Sequence, residues 1–109
     1  MEKTLTIDGR QIKFKSTGGT IIRYRNQFNS ELITELADLE KLSEIKQDFS
    51  RYTTKGVEQI IWVLAKTADD SIPDILPWFD SFDSFPIFDV WLELQTMVYQ
   101  SFGTKIKNA

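Results

Sequence analysis

The segment from residue 62 to residue 91 combines a large aromatic area with very little positive charge, because Lys66 is its one basic residue. It contains six aspartates and all three prolines of the chain, and no lysine or arginine occurs between Lys66 and Lys105. Because that much aromatic surface is unfavourable in water, we expect the segment to be buried in a core or to contact a partner. Its aromatic residues are Trp62, Trp78, Phe79, Phe82, Phe85, Phe88 and Trp91.

The composition is that of one small globular domain. The chain has 109 residues, of which 41% are hydrophobic and 27% are charged. It has no cysteine, which excludes disulfides and thiolate chemistry, and no histidine, which removes the commonest general base and metal ligand. No apolar run is long enough to cross a bilayer, and the N-terminus does not resemble a signal peptide. We therefore expect a soluble, cytosolic protein without a membrane segment.

The charge distribution is asymmetric. Residues 1–25 carry six basic and two acidic side chains, whereas residues 67–104 carry seven acidic side chains and no basic one. The net charge of −3 and the sequence pI of about 4.9 argue against nucleic acid as the main partner. The two regions either neutralise each other within one fold or guide head-to-tail self-association or binding of a charged partner.

Residues 1–16 have the pattern of a β-hairpin. Asp8-Gly9 supplies the positive φ angles that a two-residue type I′ turn requires, and this turn places Leu5 opposite Ile12. Ile7 and Phe14 then share the core-facing side with that pair. The expected solvent-facing side contains Thr4, Thr6, Gln11 and Lys13.

Residues 20–102 are expected to be helical, in a small bundle of about four helices. The first follows a possible Thr20 cap, the second runs from about Glu31 to Leu42 after Ser30, and the third from about Lys55 to Ala68. Pro73 and Pro77 predict a connector with at most short helical turns over 69–85. A last helix begins near Pro86 and ends at Gly103, before a polar tail over 103–109. The predicted fold class is mainly α with a small N-terminal hairpin, an α+β fold.

The chemistry visible in the sequence does not favour an enzyme. Asp80 and Asp83 are spaced to form a carboxylate pair, but no third ligand motif accompanies them, so capping and turn roles are favoured. Gly18-Gly19 lacks the Lys-Ser/Thr sequence of a phosphate loop and is typical of a strand-to-helix turn. We therefore expect no catalytic site, no cofactor and no metal.

The aromatic series allows two interpretations. Most of these rings are expected to fill the core between the last two helices. Alternatively, Trp78, Phe79 and Phe82 on the proline-bounded connector, with Phe85 next to them, form an exposed docking patch, because aromatic residues are typical interface anchors.

Several phrases of the sequence resemble tail assembly chaperones of long-tailed phages and prophages of Gram-positive bacteria. The resemblance covers most of the chain and is weakest over residues 29–55. Its motifs are structural rather than catalytic. The phrases are LTIDG at 5–9, FKSTGGT at 14–20, RYR at 23–25, WVLAKTAD at 62–69, SIPD at 71–74 and WFDSFDSFPI at 78–87.

This resemblance implies assembly without catalysis. Such chaperones bind the tape measure protein, keep its helical segments soluble, help recruit tail tube subunits and leave before the tail is complete. Several exist in a short form and a longer frameshifted form, and codons for Ile106-Lys107-Asn108 can contain a slippery run. The expected place is the cytoplasm of the bacterial host, with the chain absent from the mature virion. We expect an apolar groove between Ile75 and Phe88 to accept the client, and Arg23 and Arg25 to steer acidic client segments or neighbouring copies.

Three other functions remain compatible with the sequence. A phage protein that binds a host factor would share this composition, and gene context would separate it from a chaperone. A structural component of the finished tail would be found in mature particles. An enzyme would need Asp80, Asp83 and a further carboxylate around one pocket.

Overall fold

The computed structural model describes residues 1–37 and 54–103, beginning with the predicted hairpin. β1 (Glu2–Ile7) and β2 (Arg10–Lys15) are antiparallel, with Leu5 opposite Ile12 as expected. Asp8 and Gly9 have φ angles of 53° and 74°, the left-handed values that a type I′ turn requires.

The two faces of the hairpin also follow the prediction. Ile7, Ile12 and Phe14 are buried on one face, whereas the threonines and long polar side chains of the other face are exposed. Because a two-stranded hairpin is marginally stable alone, the apolar face must be covered by helices. β2 lies against the third helix and β1 against the fifth.

Two short helical elements follow the hairpin. α1 (Thr20–Phe28) begins one residue earlier than the predicted Thr20 cap implies, because Gly19 is the N-cap. The buried Thr20 hydroxyl instead accepts a hydrogen bond from the Thr17 amide. Asn29 ends α1 in the left-handed conformation. Residues 32–37 begin α2, with Leu32 and Leu36 buried. The remainder of the predicted second helix, residues 38–42, and the polar stretch up to residue 53 lie outside the described residues.

α3 (Lys55–Ala68) is the central helix and has the predicted bounds. It contacts β2, α1 and α5, and apolar side chains on most of its circumference are therefore buried. Gly56 in its first turn faces Glu35 of α2 at close range. The buried residues of α3 are Gly56, Val57, Ile60, Ile61, Trp62, Val63, Leu64 and Ala65.

The predicted connector contains one short helix. α4 (Ile75–Asp80) has six residues, and Pro77 lies in its first turn, where a missing amide proton costs no helical hydrogen bond. α5 (Ile87–Gln100) starts after Pro86 and ends three residues before Gly103, which has a φ angle of 60°. Val90, Leu94, Met97 and Val98 form its buried stripe, as the helical spacing predicts.

Over residues 1–37 and 54–103 the fold is mainly α with a two-stranded N-terminal hairpin, which confirms the predicted α+β class. These described residues contain five helices, close to the expected number of about four. The tail over 104–109 lies outside the described residues. Among the described helices, none is both long and apolar enough to cross a membrane.

Candidate functional site

The predicted aromatic patch is divided between core and surface. Trp78 and Phe82 are buried, with exposed fractions of 2% and 6%. For these two rings the core-filling interpretation is therefore the one that fits, and they do not belong to an exposed docking patch. α4 is one turn and a half long, and it directs Trp78 towards the core formed with α3 and α5. Phe79 and Phe85 are half-buried and remain accessible at the surface.

The four rings form one cluster of edge-to-face contacts. Trp78 lies 5.0 Å from Phe79, 5.3 Å from Phe82 and 5.7 Å from Phe85, measured between ring centroids. Phe85 also lies 4.8 Å from Phe79 and 5.1 Å from Phe82. These separations and tilted planes are the favoured geometry for aromatic pairs, so the buried rings hold the half-buried ones in place.

The tip of the hairpin contacts the turn that follows α4 and holds it in position. The guanidinium of Arg10 lies 4.1 Å from the centroid of the Phe82 ring and donates a 2.9 Å hydrogen bond to Ser81 Oγ. The carboxylate of Asp8 accepts a 3.0 Å hydrogen bond from the amide of Asp83. The cation over the aromatic face and the hydrogen bonds to Ser81 and Asp83, the residues before and after Phe82 in the chain, fix the position of Phe82. This tip contact was not expected from the sequence, because it joins residues more than 70 positions apart.

An apolar cleft lies beside the exposed side of the aromatic cluster. It has a volume of about 430 Å³, which falls within the usual size of ligand pockets. Leu76, one of its lining residues, is 67% exposed and so presents an apolar side chain to a partner. The cleft falls within the region from Ile75 to Phe88 where a groove was expected. Its lining residues are Glu58, Ile75, Leu76, Phe79, Phe85 and Ile87.

Sequence reasoning identified two of the cleft residues, Phe79 and Phe85, and missed Leu76 and Glu58 as lining residues. Leu76 could have been found, because it stands between Ile75 and Pro77 in a segment too short to bury every apolar side chain. Glu58 lies on α3, and only the packing of α3 beside α4 places it at the cleft.

The two predicted arginines lie elsewhere. Arg25 makes a 2.7 Å ion pair with Glu31, and both side chains are about half exposed. Arg23 lines a separate polar cavity of about 300 Å³ together with Trp62, Lys66 and Asp70. Neither arginine lines the apolar cleft, so the structure does not combine the basic and aromatic candidates into one site.

Three polar side chains, Lys66, Asp69 and Tyr24, make structural contacts within the fold. Lys66 donates to the backbone carbonyls of Asp70 and Ile72 at 2.7 and 2.6 Å. Hydrogen bonds from Ser71 lower the pKa of Asp69. Burial, assisted by the charge of Glu35, raises the pKa of Tyr24, whose hydroxyl donates to Gln59 at 2.6 Å. Within residues 1–37 and 54–103, no three potential ligand side chains converge on a point where a metal ion could bind.

The comparisons with known proteins give no relative. No known protein family, curated protein or solved structure matches this chain. The resemblance to tail assembly chaperones therefore depends on the sequence phrases alone, and the chemistry of the site has to be argued from the cleft.

Proposed function

We propose that this chain is a non-catalytic tail assembly chaperone that binds a helical segment of the tape measure protein in the apolar cleft. The observation that carries the proposal is the cleft itself, an open apolar surface with an exposed Leu76 and half-buried Phe79 and Phe85. The sequence phrases shared with such chaperones supply the identity of the client.

The construction of the cleft suits a helix-in-groove contact. Phe79 and Phe85 rest on the buried rings of Trp78 and Phe82, and Arg10 at the tip of the hairpin lies over Phe82. A rigid base loses little conformational entropy on binding, so an amphipathic helix can dock without reordering the chaperone. Because one small cleft provides only a few anchors, the affinity should be moderate, which agrees with a client that is later released.

The proposal extends to the remainder of the assembly role. The chain acts in the cytoplasm of the bacterial host as the short, pre-frameshift form, helps recruit tail tube protein to the bound tape measure protein and is absent from the mature virion. In this proposal, the oppositely charged ends of the chain also bring copies of the chaperone together in self-association. Membrane and nucleic acid have no part in this role.

The test is co-expression of the chain with the tape measure protein of the same genome, followed by affinity capture. We expect soluble tape measure protein to co-purify with the wild-type chain and to be lost with Leu76→Asp. The matched control is Leu92→Asp, because Leu92 is 62% exposed on α5 and does not line the cleft. Exposed positions are used because truncating the buried Trp78 or Phe82 would unfold the chain.

Two results would contradict the proposal. If the tape measure protein stays insoluble and uncaptured while the chain is folded, a module that binds a host factor becomes the leading function. If capture survives Leu76→Asp and is lost with Leu92→Asp, the chaperone role stands but the client binds another surface.

A further inference from the structure

The charged residue that lines the apolar cleft and the charged residues next to the lining in sequence at the two ends of α4 are acidic. Glu58 is the charged residue in its lining. Asp74 directly precedes the lining residue Ile75 and Asp80 directly follows Phe79, so each aspartate has its Cα about 3.8 Å from that of a lining residue. Both aspartates are exposed.

The nearest basic residues are placed differently. Arg10 lies over Phe82 and is hydrogen-bonded to Ser81, at the tip of the hairpin rather than in the cleft lining. Lys66 is bound to two backbone carbonyls at the other end of α3. Lys55 lies one turn before Glu58 on α3 and is the closest base in that helix. One lysine therefore stands against three carboxylates around the apolar surface.

We infer that the segment recognised by the cleft is a cationic amphipathic helix, with apolar side chains on one face and lysine or arginine beside them. This inference rests on the proposed function, because it specifies the chemistry of the client at the same cleft. An acidic helix would bring like charges together at the margin, whereas a basic helix pairs with Glu58, Asp74 and Asp80.

The size of the cleft limits how much of the helix it can hold. A cavity of roughly 150 Å³ accommodates one benzene-sized group. The volume of about 430 Å³ is therefore enough for two or three apolar side chains. Side chains at positions i, i+3 or i+4, and i+7 of a helix project from one face at the required spacing. The charged neighbours of these positions then reach the acidic margin.

The experiment uses two labelled helical peptides of about 18 residues, long enough to hold a measurable helix. Both carry leucine at the same i, i+4 and i+7 positions; one has lysine and the other glutamate at the flanking positions. Fluorescence anisotropy gives each dissociation constant. We expect the lysine peptide to bind roughly tenfold more tightly at about 50 mM salt, and the ratio to shrink at about 500 mM as screening increases.

The protein side is tested with two triple variants of equal net charge. Glu58→Gln, Asp74→Asn and Asp80→Asn together remove the acidic margin and should abolish the preference for lysine. The matched control is Glu2→Gln, Glu31→Gln and Asp70→Asn, three acidic positions that do not line the cleft, and it should keep the preference. Circular dichroism establishes that both variants fold.

The outcomes separate this inference from the proposed function. Equal binding of both peptides, abolished by Leu76→Asp, would overturn the charge preference and leave the apolar docking site intact. A preference that survives in the cleft variant but not in the control would also overturn it. If neither peptide binds while the tape measure protein is still captured, the inference fails alone; if capture fails as well, both fail.

Discussion

Gly56 lies in the first turn of α3, directly against the side chain of Glu35 on α2. A β-carbon at this position would lie 2.8 Å from Oε2 of Glu35 and 3.1 Å from its Cβ. The carboxylate can rotate away, but the Cβ of Glu35 is fixed to the backbone of α2, so that backbone would have to move. By contrast, a β-carbon at Gly18 would meet no atom within 4 Å.

Gly56→Ala should therefore destabilise the protein, although alanine is the better helix former. Overpacking costs about 1–3 kcal/mol, and the helix preference returns at most about 1 kcal/mol, so we expect a net loss of about 1 kcal/mol. Urea unfolding measures the change. The control Gly18→Ala should stay within about 0.5 kcal/mol of the wild type. If Gly56→Ala were as stable as the wild type, the backbone of α2 at Glu35 would be able to move away without measurable cost.

Tyr24 links the stability of the fold to alkaline pH. Its ring is fully buried, its hydroxyl donates to Gln59, and burial together with the charge of Glu35 raises its pKa above the ordinary value of about 10. Above that ordinary value the unfolded chain releases the phenolic proton while the folded chain keeps it. Stability therefore falls as pH rises from about 10 towards the raised pKa, by up to about 1.4 kcal/mol per pH unit from this group.

Tyr24→Phe should reduce that alkaline loss, while at neutral pH it costs about 0.5–1.5 kcal/mol for the lost hydrogen bond. Urea midpoints between about pH 8 and 11 measure both effects. Tyr99→Phe makes the same chemical change on α5 and retains Tyr24, so it should retain the alkaline loss. Parallel pH curves for the wild type and Tyr24→Phe would contradict the assignment.

At the scale of elements, two side chains, Asp8 and Arg10, make the contact between the tip of the hairpin and the turn after α4. Arg10 combines a cation–π contact with Phe82 and a hydrogen bond to Ser81. We expect Arg10→Ala to cost about 1–2 kcal/mol of unfolding free energy. Arg10→Lys should recover only part of it, because an ammonium lacks the planar guanidinium.

The control for this prediction is Lys13→Ala. Lys13 is an exposed base on the same strand, on the opposite face of the hairpin, and its loss should change the unfolding free energy by less than about 0.5 kcal/mol. Thermal and urea unfolding of the three variants give the comparison. If Arg10→Ala and Lys13→Ala changed the unfolding free energy equally, the tip contact would contribute no more to stability than an ordinary surface residue.

The elements that could be predicted are those with a local rule. The hairpin register follows from the Asp8-Gly9 turn, and the bounds of α3 follow from apolar spacing. The sequence left Trp78 open between core and surface, because α4 is too short, and too interrupted by proline, to show a period from which its buried side could be read. The contacts of Arg10 and Glu58 depend on tertiary packing, which no local pattern encodes.

At the scale of the whole molecule, the opposite charges of the two ends meet in part within the fold. Lys3 on β1 lies 2.8 Å from Glu93 on α5, and Asp8 and Arg10 contact the turn over 81–83. The Lys3–Glu93 pair is about half exposed, so it contributes only roughly 0–1 kcal/mol to the free energy of unfolding. The packing of α3 against the hairpin, α1 and α5 contributes more to the stability of the fold than this ion pair does.

Because α3 contacts β2, α1 and α5, we expect the described part of the chain to unfold as one cooperative unit, in keeping with the predicted single domain. The three tryptophans test this, since Trp62, Trp78 and Trp91 lie on α3, α4 and α5. In variants that retain one tryptophan and carry phenylalanine at the other two positions, fluorescence and far-UV circular dichroism should give the same urea midpoint.

Comparing two signals within each variant removes the effect of the substitutions on absolute stability. Should a variant fail to fold, amide exchange in the wild type supplies the same test, because α3, α4 and α5 should then share one opening free energy. A transition of Trp78 at lower urea than the loss of helix would show that α4 opens first. α4 has only six residues and cannot persist as an isolated helix, so its coupling to the aromatic cluster is what this prediction measures.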